Sequence, residues 1–333
     1  MSGKTQEHSN ITEPIITEVD LINAYRKTKV DLYYSSRQNF RSLLEYEQDL
    51  KGNLEKLLNV VNEGTSIPYF KIDSNSYSLM GKSVEKKNDS TNDYDVTFRL
   101  IENFSIDFHI LSSLWIQKIG EKIDAEFDDN IVYGNRLRRR EDGVLSQNSL
   151  GNFKPYSRQY GTWQNKAINA INVSLKAGNA VSIFTTDVTA FYHTIPLEVL
   201  QSVEMNEYVE IEYKSLHNLF TNCLFEWRDK VEGSLFNHGD SEENVGKHIG
   251  IPVGLSASSI IANWVMKPLD DEILERLTPV YYGRYVDDIL LVLPNIGNYK
   301  QQENMIHWLE SQLDCLKLTK DNDNKNEETI GRK

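Results

Sequence analysis

Three aspartates in the second half of the chain have the surroundings expected of a metal-binding site. Asp187 follows a strand-like segment, Ala180–Thr186, while Asp287 and Asp288 stand side by side within the apolar stretch Val280–Leu293. A buried carboxylate is unfavourable unless a cation or strong hydrogen-bond donors accompany it. Carboxylate oxygens are ligands that Mg²⁺ prefers, and this ion also binds substrate phosphates. The aspartates therefore predict phosphoryl-transfer chemistry that depends on a divalent metal.

Strand periodicity indicates how these distant aspartates come together. Successive residues from Val181 to Asp187 alternate between two faces, as in a strand. The stretch Val280–Leu293 predicts a hairpin with its tip near Val286 and Asp287. If the two segments are neighbours in one sheet, Asp187 and Asp287 face each other. Two metal ions roughly 3.5–4 Å apart would then clamp the attacking and leaving oxygens of a phosphoryl transfer.

The order of the segments adds to the argument. An Asp–Asp pair is also common at turns, so the string Tyr285–Asp288 alone does not fix a function. Here a glycine-containing turn, Gly250–Ser256, lies between the strand-borne Asp187 and the paired aspartates. Ser256 is expected to cap the helix that follows, and Pro268 is expected to kink that helix.

These segments resemble the motifs of reverse transcriptases. Residues 184–196 look like motif A, residues 250–256 like motif B and residues 285–288 like motif C, with a weaker match to motif D at residues 316–325. The resemblance implies an α+β fold with a right-hand polymerase palm, an antiparallel sheet backed by helices, and a helical N-terminal and fingers region. Because the chain ends at Lys333, the thumb is expected to be absent or truncated.

The resemblance also implies roles for the acidic residues. Asp187 and Asp287 correspond to the metal-binding carboxylates, and Asp288 corresponds to an accessory carboxylate. The carbonyl of Val188 is expected to contact a metal as well. The implied cofactor is Mg²⁺, with Mn²⁺ as a second possibility.

Four further residues correspond to nucleotide-binding positions. Tyr192 is expected under the nucleotide sugar, where its ring excludes a 2′-hydroxyl, although a packing role for this ring stays open. Gly254 would let the backbone approach the nucleotide or the template. Arg136 and Arg138 are expected to hold the triphosphate, because the arginine fork matches phosphate oxygens. A solvated basic face is the alternative for these arginines.

The implied activity is that of an RNA-directed DNA polymerase. Its partners would be a deoxynucleoside triphosphate, an RNA template and a nucleic-acid or protein primer. Residues 24–34 and 133–137, together with Val253 in place of a common glutamine, resemble the abortive-infection and defence-associated branch, which is related to group II intron and retron enzymes. This branch implies bacterial antiviral defence, with a non-coding RNA or protein partner, or a homo-oligomer. A template-independent or protein-primed polymerase and a non-catalytic interaction protein of the same fold remain alternatives.

Composition excludes several other classes of protein. The chain has 333 residues, a net charge of −13 and two cysteines, Cys223 and Cys315, which is too few for a disulfide framework. The N-terminus lacks the apolar core of a signal peptide. The longest purely apolar run, Ile289–Leu293, is far shorter than the roughly 20 residues that span a bilayer. We therefore expect a cytoplasmic protein without membrane contact.

The predicted organisation has four parts. Residues 1–18 form a flexible arm, residues 19–64 an N-terminal helical region, residues 65–179 the fingers and residues 180–333 the palm. One apolar stripe from Leu43 to Val61 predicts a single helix that ends at Gly64. The polar stretch Lys82–Asp95 predicts a surface loop, and residues 106–127 and 163–176 predict helices.

Overall fold

Helices and small antiparallel sheets make up the protein, which confirms the α+β fold. The computed structural model describes residues 15–35, 39–64, 67–73, 76–86, 93–147, 151–188, 190–236, 249–295, 302–314, 316–320 and 328–332. Most of the arm predicted at residues 1–18 lies outside these ranges. Within them, the strands form three antiparallel sheets of two, three and two strands.

The N-terminal region contains three helices, α1 (Glu18–Ser35), α2 (Asn39–Glu47) and α3 (Leu50–Glu63). The prediction of one helix along the stripe from Leu43 to Val61 was wrong, because the chain breaks at residues 48–49. The Asp49 side chain caps α3 by accepting a hydrogen bond from the Gly52 amide at 3.2 Å. Gly64 ends α3 in the left-handed conformation at φ 71°, as predicted.

A two-stranded hairpin follows a short 3₁₀ turn (Ile67–Phe70). Strand β1 (Tyr77–Lys86) pairs with β2 (Tyr94–Glu102), and the register shifts between Gly81 and Ser83. The surface loop predicted for residues 82–95 is therefore wrong at both ends, which belong to the strands, and its centre at residues 87–92 lies outside the described residues. Alternation of side chains along β2 was the signal that could have identified the strand.

The next helical stretch is α4 (Ile106–Trp115), which continues through a π-helical turn (Ile116–Gly120) into α5 (Glu121–Ala125). Ser105 caps α4 by accepting a hydrogen bond from the Phe108 amide at 3.3 Å. A loop leads to α6 (Tyr156–Lys176), which begins seven residues before the predicted start at Trp163. Helix α6 packs against the palm sheet.

The palm sheet has the order β3-β5-β4, with β3 at Val181–Thr186, β4 at Tyr281–Tyr285 and β5 at Asp288–Pro294. Both neighbouring pairs are antiparallel. The predicted hairpin and its tip are thereby confirmed. Between β3 and β4 lie α7 (Phe191–Thr194), α8 (Val203–Glu207) and the long helix α9 (Lys214–Phe236), with 3₁₀ turns at Leu197–Gln201 and Ile211–Tyr213.

Two helices, α10 (Ser256–Val265) and α11 (Lys267–Leu277), lead into β4. The expected kink is a complete break at Met266, and Pro268 lies in the first turn of α11, where its missing amide is tolerated. The expected cap at Ser256 was wrong. Leu255 occupies the cap position, and the Ser256 hydroxyl instead donates to Asp31 on α1 at 3.2 Å.

The C-terminal part contains α12 (Gln302–Gln312), β6 (Leu316–Lys320) and β7 (Glu328–Arg332), which pairs with β6. The weak motif D match covers β6, and its remainder at residues 321–325 lies outside the described residues. One hydrophobic core runs from α1 through α4, α9 and α10 to the palm sheet and includes the buried Cys223. None of the described helices has the length and apolar character needed to cross a membrane.

Candidate active site

The register of the palm sheet brings the three aspartates to one end. Thr186 pairs with Ile289, so Asp187 continues the ladder beside Asp288 on the adjacent strand. Asp288 itself pairs with Tyr285, and Asp287 lies in the turn between β4 and β5. Asp187 is exposed, whereas the other two aspartates are partly buried. Asp187 thus shares one corner of the sheet with two carboxylates, Asp287 and Asp288, that lie about 100 positions later in the chain.

The turn Tyr285–Asp288, here called the aspartate turn, has a strained backbone. Val286 has φ 61°, which is rare for a β-branched residue. Such strain persists only where the surroundings enforce it. Gly134 lies directly against this turn, since a Cβ there would be 2.6 Å from the Val286 nitrogen. The residues before Gly134 also bond to β4, with Tyr133 donating to the Arg284 carbonyl at 3.0 Å and Arg284 donating to Ile131 at 2.8 Å.

A buried arginine beneath the sheet supports the same turn. Arg284 has no exposed surface, and its guanidinium forms a two-pronged ion pair with Asp270 on α11, at 2.7 and 2.8 Å. It also donates to Asn263 on α10 at 2.7 Å and to the Val286 carbonyl at 3.2 Å. Asn263 in turn donates to the Gly134 carbonyl at 2.9 Å. One network therefore connects the strained turn to both helices behind the sheet.

The aspartates repel one another when they are ionised. Burial, together with the charges of Asp288 and Asp187, raises the pKa of Asp287 to about 6. Burial and Asp187 also raise the pKa of Asp288. A cation between these groups would remove the repulsion and favour the ionised forms. The donor set therefore suits a divalent metal.

Asp187 and Asp287 supply carboxylate oxygens of the kind that Mg²⁺ selects. Within the described ranges, no three or more His, Cys, Asp or Glu side chains form a group that could hold a metal ion by themselves. Mg²⁺ usually binds through one or two carboxylates and completes its shell with water and substrate phosphates. An incomplete protein shell therefore fits this ion. Val188, directly after Asp187, is partly buried at the same end of the strand.

Tyr192 lies on α7, close to the aspartates. Its side chain is partly buried, and its hydroxyl interacts with Ser259 on α10 and with Asn135. Burial raises the pKa of Tyr192 to about 12, and the nearby charge of Asp287 contributes. The phenol is therefore neutral at physiological pH, and its ring is fixed beside the aspartate turn.

The segment 250–256, here called the glycine turn, packs closely against Tyr192 at one end and against Glu102 at the other. At Gly250 an added Cβ would lie 2.3 Å from the Tyr192 carbonyl oxygen. At Gly254, which has φ 97°, an added Cβ would lie 2.4 Å from Oε1 of Glu102. Glycine is required at Gly250 because main-chain atoms lie against it, and at Gly254 because few other residues adopt its positive φ. The close neighbour of Gly254 in this structure is thus a protein side chain.

The arginines expected to bind triphosphate have other partners. Arg136 is only 4% exposed, and its guanidinium donates to Asp124 at 2.9 Å and to the Val132 carbonyl at 3.2 Å. Asp129 forms a further ion pair with it at 2.8 Å. These contacts favour a structural role for Arg136 over the expected one, because phosphate would have to compete with the buried Asp124 and the exposed Asp129. Arg138 is partly buried, and its Nε donates to the Phe153 carbonyl.

Sequence reasoning missed two basic residues whose charges act at the site or beside it. Arg99 on β2 is exposed, and its charge acts on Asp287, lowering the pKa of that carboxyl. Lys82 is the extra residue at the register shift of β1. Burial lowers the pKa of His193, and the positive charges of Arg99 and Lys82 lower it as well. Hairpin β1–β2 therefore brings positive charge to the neighbourhood of the site.

An aromatic cluster lines the other side of the aspartate turn. The Tyr285 ring makes edge contacts with Tyr156 and Tyr160 of α6, with centroids 5.2 and 5.3 Å apart. Tyr156 also stacks on Tyr160 at 5.3 Å and remains 62% exposed. These rings fix the position of Tyr285 next to Asp288.

Comparison with known proteins gives one family match. Residues 84–320 match the family described as reverse transcriptase (RNA-dependent DNA polymerase). The matched range includes hairpin β1–β2 from Val84 onward, the glycine turn and all three aspartates. No curated protein matches the chain significantly.

Proposed function

Because the chain belongs to the reverse transcriptase family, we propose that it is an RNA-directed DNA polymerase that adds deoxynucleotides at Asp187, Asp287 and Asp288. The observation that carries this proposal is the sheet register, which brings the three carboxylates to one corner. The positive charges of Arg99, which acts on Asp287, and Lys82, which acts on His193, would attract a negatively charged substrate. This arrangement also argues against a palm fold that only binds partners.

Asp187 and Asp287 would hold Mg²⁺, or Mn²⁺ in its place, with Asp288 as the accessory carboxylate and the Val188 carbonyl as a further ligand. When bound, the metal lowers the pKa of the attacking hydroxyl and neutralises the triphosphate. The strained backbone at Val286 holds Asp287 at the tip of the turn, so that its carboxylate is oriented before the substrate arrives.

The remaining residues position the nucleotide. Arg99 and Lys82 would bind the triphosphate and orient the pyrophosphate as the leaving group. The Tyr192 ring would lie under the sugar and exclude a 2′-hydroxyl. Gly254 would keep the glycine turn close to the nascent base pair. Arg138 would contact the phosphates only at the periphery of the site.

The test is a primer extension assay with the purified protein, Mg²⁺ and labelled deoxynucleotides, with and without an RNA template. RNA-dependent incorporation whose sequence follows the template is the expected result. Equal incorporation without RNA would instead indicate a template-independent or protein-primed polymerase. Lack of incorporation on any template would support a non-catalytic role.

Replacing Tyr192 by alanine is expected to weaken sugar selection. With the ring removed, a ribonucleotide no longer meets a steric barrier at its 2′-hydroxyl. The ratio of kcat/KM for dGTP to that for GTP should fall at least about tenfold, which corresponds to roughly 1.4 kcal/mol. Tyr208→Ala, which removes a more exposed tyrosine, serves as the control. An unchanged ratio would identify Tyr192 as a packing residue only.

Replacing Arg99 by alanine is expected to weaken triphosphate binding. A hydrogen bond to a charged group is worth about 1.5–3 kcal/mol, so KM for deoxynucleotides should rise roughly tenfold or more. Arg140→Ala is a suitable control, because Arg140 is an exposed arginine paired with Asp142 at 2.8 Å. If both variants had the same KM, the role proposed for hairpin β1–β2 would be wrong.

We further propose that this polymerase acts in bacterial antiviral defence, in the cytoplasm, with a non-coding RNA, a protein partner or further copies of itself. The basis is the resemblance of residues 24–34 and 133–137, and of Val253, to the defence-associated branch. Phage plating on bacteria that express the chain tests this role. Protection should require the same aspartates as polymerisation.

A further inference from the structure

Glu102, the last residue of β2, has a carboxyl group that lacks an adequate partner. The residue is 9% exposed, and its Oε2 has no hydrogen-bond partner among the described residues. The carboxyl receives only a hydrogen bond from its own backbone, and no neighbouring cation offsets the cost of burial. Buried polar atoms are normally paired, so an exception requires an explanation.

The surroundings of Glu102 relate it to the nucleotide site. Its Oε1 would be 2.4 Å from a Cβ placed on Gly254. The opposite end of the same glycine turn, at Gly250, contacts the main chain of Tyr192. These contacts put Tyr192 at one end of the glycine turn and Glu102 at the other. If Tyr192 lies under the sugar of the incoming nucleotide, the templating nucleotide that pairs with it would lie toward Glu102.

We propose that Glu102 forms a hydrogen bond with the ribose 2′-hydroxyl of the templating nucleotide and thereby favours RNA over DNA as the template. This inference rests on the proposed function. It assigns the template specificity of the proposed polymerase to one residue, Glu102. A 2′-hydroxyl both donates and accepts hydrogen bonds, and it is the group that distinguishes RNA from DNA. It can therefore satisfy the unpaired Oε2.

The protonation state of Glu102 is compatible with a nucleic-acid ligand. Burial raises its pKa to about 8, so the carboxyl group is mainly neutral at pH 7. A neutral carboxyl both donates and accepts a hydrogen bond, and it does not repel the phosphates of a template strand. A base edge is a less suitable ligand, because its pattern of donors and acceptors changes with each template base.

The strand that carries Glu102 offers further surface to a single strand. Phe98 and Val96 lie two residues apart on the same face of β2 and are 56% and 43% exposed. Leu79 on β1 pairs with Leu100 and adds to this apolar face at 50% exposure. An exposed aromatic ring such as Phe98 can stack with an unpaired base, and the aliphatic neighbours extend the apolar surface. The face thus continues from Glu102 toward the tip of the hairpin.

The experiment uses RNA templates that carry a single 2′-deoxynucleotide at the templating position. For the wild-type protein, this one substitution should lower the single-turnover incorporation rate about three- to tenfold, the range expected for one lost hydrogen bond. The same substitution two positions away should have no effect. A wild-type rate that is insensitive to the templating 2′-hydroxyl would overturn the proposal without any variant.

Variants then assign the effect to Glu102. The Glu102→Met variant should copy the all-RNA template only as fast as the wild-type protein copies the template with the single 2′-deoxynucleotide. For this variant, the 2′-deoxynucleotide in the template should cause no further loss of rate. Glu102→Gln retains a donor and an acceptor and should keep most of the discrimination. Glu85→Met, on the exposed part of β1, is the matched control and should behave like the wild type.

The outcomes separate this inference from the proposed function. If the wild-type protein does not copy RNA, the proposed function fails, and template discrimination by Glu102 fails with it. If the protein copies RNA but Glu102→Met loses activity equally on both templates, the residue is structural and only this inference is wrong. If the effect of Glu102→Met on the incorporation rate depended on the templating base and not on its sugar, the proposed hydrogen bond to the 2′-hydroxyl would also be wrong.

Discussion

Replacing Asp287 by asparagine is expected to lower nucleotide incorporation about a thousandfold or more. The substitution removes a carboxylate that would hold the metal, and a metal clamp contributes several kcal/mol of transition-state stabilisation. Single-turnover rates of the wild-type protein and the variant measure the effect directly. Because the amide has nearly the same shape as the carboxyl group, the change is chemical and not steric.

The stability of this variant provides an internal check. The pKa of Asp287 in the folded protein, about 6, exceeds its ordinary value of 3.8. The folded state therefore binds more protons than the unfolded state between these values, and ionising Asp287 as the pH rises lowers stability. At pH 7.5 and without divalent metal, the asparagine variant should have a Tm equal to or above that of the wild type. Asp271→Asn, an exposed position on α11, should retain activity. Near-normal incorporation by Asp287→Asn would refute the metal-site assignment.

Replacing Arg284 by methionine should reduce both stability and activity. It leaves Asp270 as a buried, unpaired charge, and breaking one side of a buried ion pair costs about 3–5 kcal/mol. Arg284 is completely buried, so solvent cannot compensate. Activity should fall as well, because the Val286 carbonyl loses a donor. Urea denaturation monitored by fluorescence measures the free energy of unfolding.

A double variant separates the two effects. Arg284→Met combined with Asp270→Leu removes both charges, and such replacements are often neutral or stabilising when volume is retained. We expect most of the stability to return, while incorporation stays low because the strained turn has lost its support. Arg41→Met removes an exposed pair with Glu45 and should cost less than about 1 kcal/mol. Recovery of full activity in the double variant would show that Arg284 has no role in holding the turn.

Local patterns were sufficient to predict the aspartates and their sheet. Strand alternation up to Asp187 and the apolar hairpin around Asp287 and Asp288 depend on neighbouring residues, so the sequence contains them directly. The left-handed helix end at Gly64 is local in the same sense. The break between α2 and α3 was missed, since the apolar stripe continues in register across it.

Residues whose roles depend on distant partners were not predictable in this way. The basic cluster around Arg136 indicated phosphate binding, yet its charge is balanced by Asp124 and Asp129, which the fold brings to it. The effect of Arg99 on Asp287 could not be predicted from local patterns, because it depends on where the fold places hairpin β1–β2. The unpaired carboxyl of Glu102 becomes apparent only when Gly254 is placed beside it. Burial and pairing are tertiary properties, and one sequence does not report them.

The contact between Gly134 and Val286 also has a consequence for the order in which the protein is made. The residues that force the aspartate turn into its strained shape are synthesised about 150 positions before the turn itself. Closing so long a loop is slow relative to local helix formation. A nascent chain should therefore form its N-terminal helices on the ribosome while the turn still lacks its working geometry. Catalytic competence would therefore arise late in synthesis, only after the hairpin of β4 and β5 has emerged and packed against Gly134.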